Sequence, residues 1–338
     1  MIEALLYEKL SNKTVQCHIC QRRCVIKDRG RGHCRTRVNH LGKLHSLIYG
    51  LVSTMMISPI EKKPVYHFFP GSAWFSLGSL GCNFRCPGCQ NWDIAHSEIN
   101  LEIKGARIIP PQELIQTAKK SECLGISWTY NEPTLWFEYT LEGAKLAKKN
   151  DLYTNYVTNG YMTLEALDLI GPYLDVFRVD LKGFSKDSYQ NIAHIDDFSG
   201  ILEVIQRAKK KWKMHVEIVT NLIPRMNDKE EDLKQMACWI SEELGKDTPW
   251  HVTRFFPHLR LSHVEPTPIK TLEKTREMGM KQGLDYVYMG NVWGSQAENT
   301  YCPGCGEPLI EREGLETKEI HLKKGRCQFC GHSIAGRF

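Results

Sequence analysis

The chain has 338 residues, 25% of them charged and 42% hydrophobic, a globular composition that excludes a disordered or collagen-like protein. Its length fits one large α/β domain with small modules, or two domains. With 44 basic against 39 acidic residues, the formal net charge of +5 demands neither a nucleic-acid nor a membrane partner.

The first residues, Met1 to Lys9, show no charged start followed by an apolar core, so no signal peptide is expected and the expected location is the cytoplasm. Residues 1–65 form a basic, cysteine-rich module. Within it the apolar run Leu44–Ile60 is broken by His45, Ser46, Gly50, Ser53, Thr54 and Ser58, too polar for a membrane span. It reads as short buried strands. Residues 66–297 alternate strand-like and helical patterns. The predicted strands are 74–80, 125–130, 153–158, 176–181, 215–221, 251–256 and 286–289, short and rich in β-branched or aromatic residues. The predicted helices are 111–120, 138–149, 163–169, 198–212, 229–244 and 268–282; the first opens on a proline pair and closes on lysines. Strands alternating with helices specify a mostly parallel α/β sheet. Six or more such units without a GxGxxG opening favour a full or partial TIM-like barrel, with chemistry at the C-terminal ends of the strands. Residues 298–338 form a short metal-binding tail.

The cysteines are the anomaly. There are 13, and 11 fall in three clusters. In a cytosolic chain clustered thiols indicate metal rather than disulfides. The central cluster, Cys82, Cys86 and Cys89, has the spacing C-x3-C-x2-C on a loop that directly follows a predicted strand. Three thiolates suit an Fe–S cubane with one iron left open. The competing readings are zinc completed by His96, or plain buried thiols.

This spacing resembles the signature of the radical S-adenosylmethionine (SAM) superfamily. The resemblance implies a [4Fe–4S] cluster whose open iron is chelated by the amino and carboxylate groups of SAM. It further implies that an electron from the cluster splits the sulfonium, and that the resulting 5′-deoxyadenosyl radical abstracts hydrogen from a substrate. The family usually has an aromatic residue before the third cysteine; here it is Gly88, which leaves Trp92 or Phe84 as substitutes for stacking on adenine.

The other expected SAM contacts lie at strand ends. Thr129-Tyr130-Asn131-Glu132-Pro133 stands where the family usually has Gly-Gly-Glu-Pro, so Asn131 and Glu132 are expected at the SAM ammonium. The same residues also read as a helix start, with Asn131 as the cap. Asn159, in Thr158-Asn159-Gly160, resembles a ribose contact and equally a plain Asn-Gly turn. Asp180 and Lys182 share one face of a strand by alternation and need partners if buried. The resemblance gives Lys182 to the SAM carboxylate. Asn221 is a candidate for the ribose, and Arg254 and His258 are candidates after the sixth strand, against the ordinary role of hydrogen-bonding at a strand end.

In the tail, Cys302, Cys305, Cys327 and Cys330 have the spacing C-x2-C-x21-C-x2-C, which fits tetrahedral zinc or a rubredoxin-type iron. Six basic and six acidic residues in 298–338 argue against a nucleic-acid surface. At the N-terminus, Cys17, Cys20, Cys24 and Cys34 have the spacing C-x2-C-x3-C-x9-C, which fits zinc or a second [4Fe–4S] cluster. Seven basic residues and only Asp28 on the acidic side lie in 21–37, a charge that stabilises thiolates.

The whole layout, with Gln90-Asn91-Trp92 and Val179-Asp180-Leu181-Lys182-Gly183-Phe184, resembles the AmmeMemoRadiSam-system radical SAM enzymes, themselves similar to pyruvate formate-lyase activating enzymes. That resemblance implies glycyl-radical activation or modification of a protein or RNA, a low-potential flavodoxin or ferredoxin as electron donor, and Memo-like and AMMECR-like partners. The alternative is a non-enzymatic zinc protein that binds a partner or nucleic acid.

Overall fold

The computed structural model describes residues 1–99 and 106–338. Its central sheet has eight strands: β1 (Thr54–Pro59), β2 (Ala73–Gly78), β3 (Gly125–Trp128), β4 (Tyr153–Thr158), β5 (Val176–Asp180), β6 (His215–Leu222), β7 (Trp250–Arg254) and β8 (Val287–Gly290). Strand order follows chain order, β1 through β8, as in the wall of a barrel. The mixed α/β class with a parallel sheet is therefore as expected.

The chain divides into two compact units, and β5 straddles the boundary between them. The first contains residues 1–58, 73–177 and 197–214. Here β3 runs parallel to β2 and β4, with Trp128 opposite both Leu77 and Tyr156. All four residues of β3 are buried, as befits a strand covered on both faces. In-register parallel strands release their C-terminal loops on the same side, so residues 79–91, 129–134 and 159–161 emerge together. The helices α1 (Pro111–Lys120), α2 (Phe137–Lys149), α3 (Leu164–Ile170) and α5 (Ser199–Lys210) belong to this unit. α1 has Pro111 in its first turn and buries Leu114, Ile115 and Ala118. Thr163 caps α3, accepting from the Ala166 N–H at 3.2 Å. The N-terminal residues add two small antiparallel sheets. They are tied to α2 by a buried bidentate ion pair between Arg37 and Glu138, both bonds 2.9 Å.

The second unit contains residues 59–72, 178–196 and 215–338. β6, β7 and β8 are parallel, with Leu222 opposite Arg254 and Thr253 opposite Gly290. α4 (Lys186–Ala193), α6 (Glu230–Trp239) and α7 (Ile269–Lys281) lie in this unit, and the tail forms the antiparallel strands Thr300–Tyr301, Pro308–Glu313 and Glu316–Ile320. A buried polar knot anchors the start of β6. Glu217, wholly buried, accepts from His215 at 2.7 Å, from His251 at 2.6 Å, and from the backbone N–H groups of Tyr66 and His67.

One predicted element changes. The helix expected over 229–244 ends at Trp239 and widens into a π-turn, Ile240–Leu244. α4 was not expected; it is short, and Ser185 starts it by accepting from the Ser188 N–H at 3.3 Å. Among the described residues no helix is long and apolar enough to cross a membrane.

Candidate active site

In the first unit the chain leaves β2 and turns at once into the arc that carries Cys82, Cys86 and Cys89. Asn131, in the loop after β3, clamps the start of the arc. Its Oδ1 accepts from Ser79 N at 3.0 Å and its Nδ2 donates to Gly81 O at 2.9 Å. Asn91, just beyond the arc, donates to Tyr130 O at 2.7 Å. Arg85 staples the arc from within, its Nη1 donating to the carbonyls of Cys82, Phe84 and Ala95 at 3.0–3.2 Å. Gly81 has φ +80°, and a Cβ there would sit 2.5 Å from Thr36 Cγ2 and 2.9 Å from Cys34 O. Only glycine fits both demands. Tyr130 has φ +72°, the left-handed geometry that explains why the resembled motif carries glycine at that point.

None of the three cysteines is in a disulfide, and all are partly exposed. The Cys82 sulfur receives the Phe84 N–H at 3.4 Å and faces Asn159 Nδ2 at 3.8 Å. Burial, then the charge of Glu132, pushes the Cys82 thiol well above its ordinary pKa. The loop cysteines are not drawn in, with or without His96, to the 4.8 Å mutual spacing of a one-ion site among the described residues. His96 instead ends the short helix Trp92–Ala95, its backbone N–H bonded to Trp92 O. Three partly exposed thiols on a braced arc, with N–H groups directed at sulfur, fit a cubane held at three corners.

Glu132 and Asn159 lock the neighbouring turns. Glu132, rather than Asn131, is the cap of the 3-10 turn Pro133–Trp136. Its carboxylate accepts from Thr134 N at 3.0 Å, Thr134 Oγ1 at 2.6 Å, Thr158 Oγ1 at 2.7 Å and Asn159 N at 2.8 Å. Burial raises its pKa and these four bonds oppose the rise. Asn131 cannot cap because both ends of its side chain hold the cysteine arc. Asn159 donates to Asn83 Oδ1 at 2.7 Å and accepts from Tyr161 N at 3.0 Å. Of the aromatic substitutes, Phe84 is 1% exposed and packed on Tyr161, whereas Trp92 is 48% exposed. Only Trp92 has a face to offer.

In the second unit, Asp180 is paired with Arg178 Nη1 at 2.7 Å and with Lys182 Nζ at 3.7 Å. Against burial, these two cations hold its carboxyl below the usual range. Arg178 continues the alternation of Asp180 and Lys182, a signal that was present in the sequence. Asn227 Nδ2 donates to the carbonyls of Lys182 at 2.7 Å and Asn221 at 2.9 Å, joining two strand ends. Nothing in the sequence marked it, because it lies in a turn past β6. Asn221 Oδ1 is buried with no hydrogen-bond partner. Arg254 donates from Nε to Thr267 O at 2.9 Å and lies over the Phe256 ring at 5.2 Å. The His258 backbone carbonyl receives the Leu261 N–H at 2.9 Å, closing a 3-10 turn.

The tail cysteines converge. The sulfur atoms of Cys302, Cys305, Cys327 and Cys330 all lie within 4.8 Å of one another, with Cys302 to Cys330 at 3.6 Å and Cys305 to Cys327 at 3.8 Å. Four thiolates about 2.3 Å from one tetrahedral ion are about 3.8 Å apart, so this site fits a single ion.

The model of the radical SAM superfamily matches residues 77–237, the span that holds the cysteine arc and the strand ends carrying Glu132, Asn159, Lys182 and Asn221; Arg254 and His258 lie beyond it. The chain belongs to the radical SAM superfamily, whose members are enzymes and whose domain implies a [4Fe–4S] cluster and SAM. Over 336 residues, 99% of each chain, it is 41% identical to the uncharacterized protein MJ0808 of Methanocaldococcus jannaschii. To MJ0674 of the same organism it is 23% identical over 306 residues, 84% of this chain and 80% of the other. Among solved structures, SuiB of Streptococcus suis is similar with a TM-score of 0.50 and 12% identity, covering 70% of this chain and 52% of that one, a likeness of fold.

Proposed function

We propose that the protein cleaves SAM reductively at a [4Fe–4S] cluster held by Cys82, Cys86 and Cys89, and uses the radical so made to abstract hydrogen from a protein or RNA substrate. The observation that carries this reading is the three-thiol arc at the end of β2, braced by Asn131 and Arg85. When bound, the cluster supplies one electron to the sulfonium of SAM. The chain's own residues do the rest. Asn131 and Arg85 fix the backbone of the arc. Glu132 and Asn159 hold the turns beside Cys82 rigid. Lys182 is the cation proposed for the SAM carboxylate, with Asp180 orienting it, and Asn221 offers an unmet acceptor for a ribose hydroxyl. Asn131, Glu132, Asn159, Arg254 and His258 remain proposed SAM contacts from the resemblance.

In the same reading the protein is cytoplasmic, resembles the AmmeMemoRadiSam-system and activating-enzyme branch, takes its electron from a low-potential flavodoxin or ferredoxin, and works with Memo-like and AMMECR-like partners. Zinc, or a rubredoxin-type iron, occupies the tail as a structural ion. The test is anaerobic reconstitution with SAM and dithionite. Formation of 5′-deoxyadenosine by the wild type, abolished in Cys86→Ala, is expected. Equal amounts from both proteins would overturn the proposal.

A further inference from the structure

The N-terminal cysteines face one small pocket, lined by Cys17, Cys20, Cys24 and Cys34 together with Arg22, Arg37 and Asn83. Three of the four cysteines are buried, and none is in a disulfide.

Two observations identify the occupant. The first is spacing. Unlike the tail, no three of these sulfurs come within 4.8 Å of one another among the described residues. Four thiolates on one zinc ion would be about 3.8 Å apart. A cubane ligated at four separate corners needs the wider spread. The second is a set of unmet donors. Arg22 Nη2, Arg37 Nε and Asn83 Nδ2 are buried without any hydrogen-bond partner, and all three residues line the pocket. Arg37 is 1% exposed and Asn83 fully buried. Buried N–H groups left unpaired are destabilising. Sulfides and thiolates of an anionic cluster are the acceptors that would meet them. Charge agrees: four thiolates on an oxidised cubane leave a net dianion, and Arg22 supplies a guanidinium beside it, Arg37 being already paired with Glu138.

We propose that Cys17, Cys20, Cys24 and Cys34 hold a second, fully ligated [4Fe–4S] cluster, with Arg22, Arg37 and Asn83 donating to its sulfur atoms. This assignment does not rest on the reading of the central loop. The cluster would adjoin that loop all the same. Arg22 Nε donates to Asn83 O at 2.7 Å, and Asn83 directly follows Cys82.

The experiment uses the full chain, reconstituted anaerobically with 57Fe and sulfide. The wild type is expected to carry about eight irons in cubanes and about eight acid-labile sulfides. The triple variant Cys82→Ala/Cys86→Ala/Cys89→Ala is expected to keep about four of each, with a reduced EPR signal that SAM does not perturb. The variant Cys20→Ser/Cys24→Ser is expected to lose that SAM-insensitive signal and to keep a SAM-sensitive one. Sulfide separates these clusters from any mononuclear tail metal. About four cubane irons in the wild type and no sulfide in the triple variant, with zinc recovered instead, would overturn the assignment while leaving the central cluster standing. A second arm removes donors: Arg22→Met should lower the reduction potential of the SAM-insensitive signal, and an unmoved potential would overturn the role given to Arg22.

Discussion

The N-terminal and C-terminal cysteine modules each bring four thiols together, yet they differ in sulfur separation and in what surrounds the thiols. The tail presents two Cys-x-x-Cys-Gly knuckles with Cys305 and Cys330 exposed and the sulfurs already within reach of one ion. The N-terminal module buries its thiols, spreads them around a small pocket, and surrounds them with guanidinium groups. The number of thiols therefore does not name the metal. Sulfur separation and the hydrogen-bond donors left unmet nearby do.

The largest expected effect that would break this contrast is loss of the N-terminal site. Cys17→Ala/Cys34→Ala removes ligands from a buried module that also carries the Arg37–Glu138 pair. We expect it to abolish half of the cubane iron and to lower the thermal midpoint, read by iron assay and circular dichroism. A variant with wild-type iron would refute the contrast. The matching tail variant, Cys305→Ser/Cys330→Ser, should lose one metal ion per chain while 5′-deoxyadenosine formation stays within about twofold, since neither cysteine is proposed to touch SAM. A loss of cleavage equal to that of Cys86→Ala would refute the structural role of the tail.

A smaller effect concerns Glu132. Glu132→Gln replaces one acceptor oxygen by an amide that faces donors, at an expected cost of about 1–3 kcal/mol. Chemical denaturation measures it, and no change would show that the carboxylate does not hold the turn.

The smallest effect is acid sensitivity in the second unit. His67 is held neutral by burial, with its pKa down to about 4 against 6.5. The unfolded chain then binds the proton more tightly, so stability is lost as pH falls from about 6.5 towards 4. Glu217 adds to this. Its folded pKa is depressed well below 4.5, because the hydrogen bonds and charges of His215 and His251 outweigh burial. Its contribution, present above the ordinary carboxylate range, is lost as pH falls through the depressed value. An unfolding midpoint that does not move between pH 7 and pH 4 would contradict the His67 assignment, and one that does not fall further below pH 4 would contradict that of Glu217.

Much of the frame was legible in the sequence because it is local. β4 spans Tyr153–Thr158 and α1 spans Pro111–Lys120 as predicted, set by alternation and by a proline start with a lysine end. The arc of Cys82, Cys86 and Cys89 was legible from spacing alone. What was not legible depends on residues far apart in the chain. Asn131 looked like a helix cap until the distances to Ser79 and Gly81 showed it clamping a loop 50 residues away. The choice between zinc and a cluster at Cys17 to Cys34 stayed open because ligand spacing in sequence does not fix sulfur spacing in space. Asn83 carries no motif of its own, yet it stands between Cys82 and the N-terminal pocket.

Gly81 has a consequence for how this protein can be recombined. Its missing side chain is the gap into which Thr36 and the Cys34 carbonyl fit, so the segment before residue 50 and the cysteine arc are cast against each other. Neither half of that joint is a free-standing cassette. A chimera that takes residues 1–65 from one relative and the arc from another would inherit two surfaces shaped for different counterparts, and a truncation meant to isolate the barrel would leave the arc without the wall it rests on.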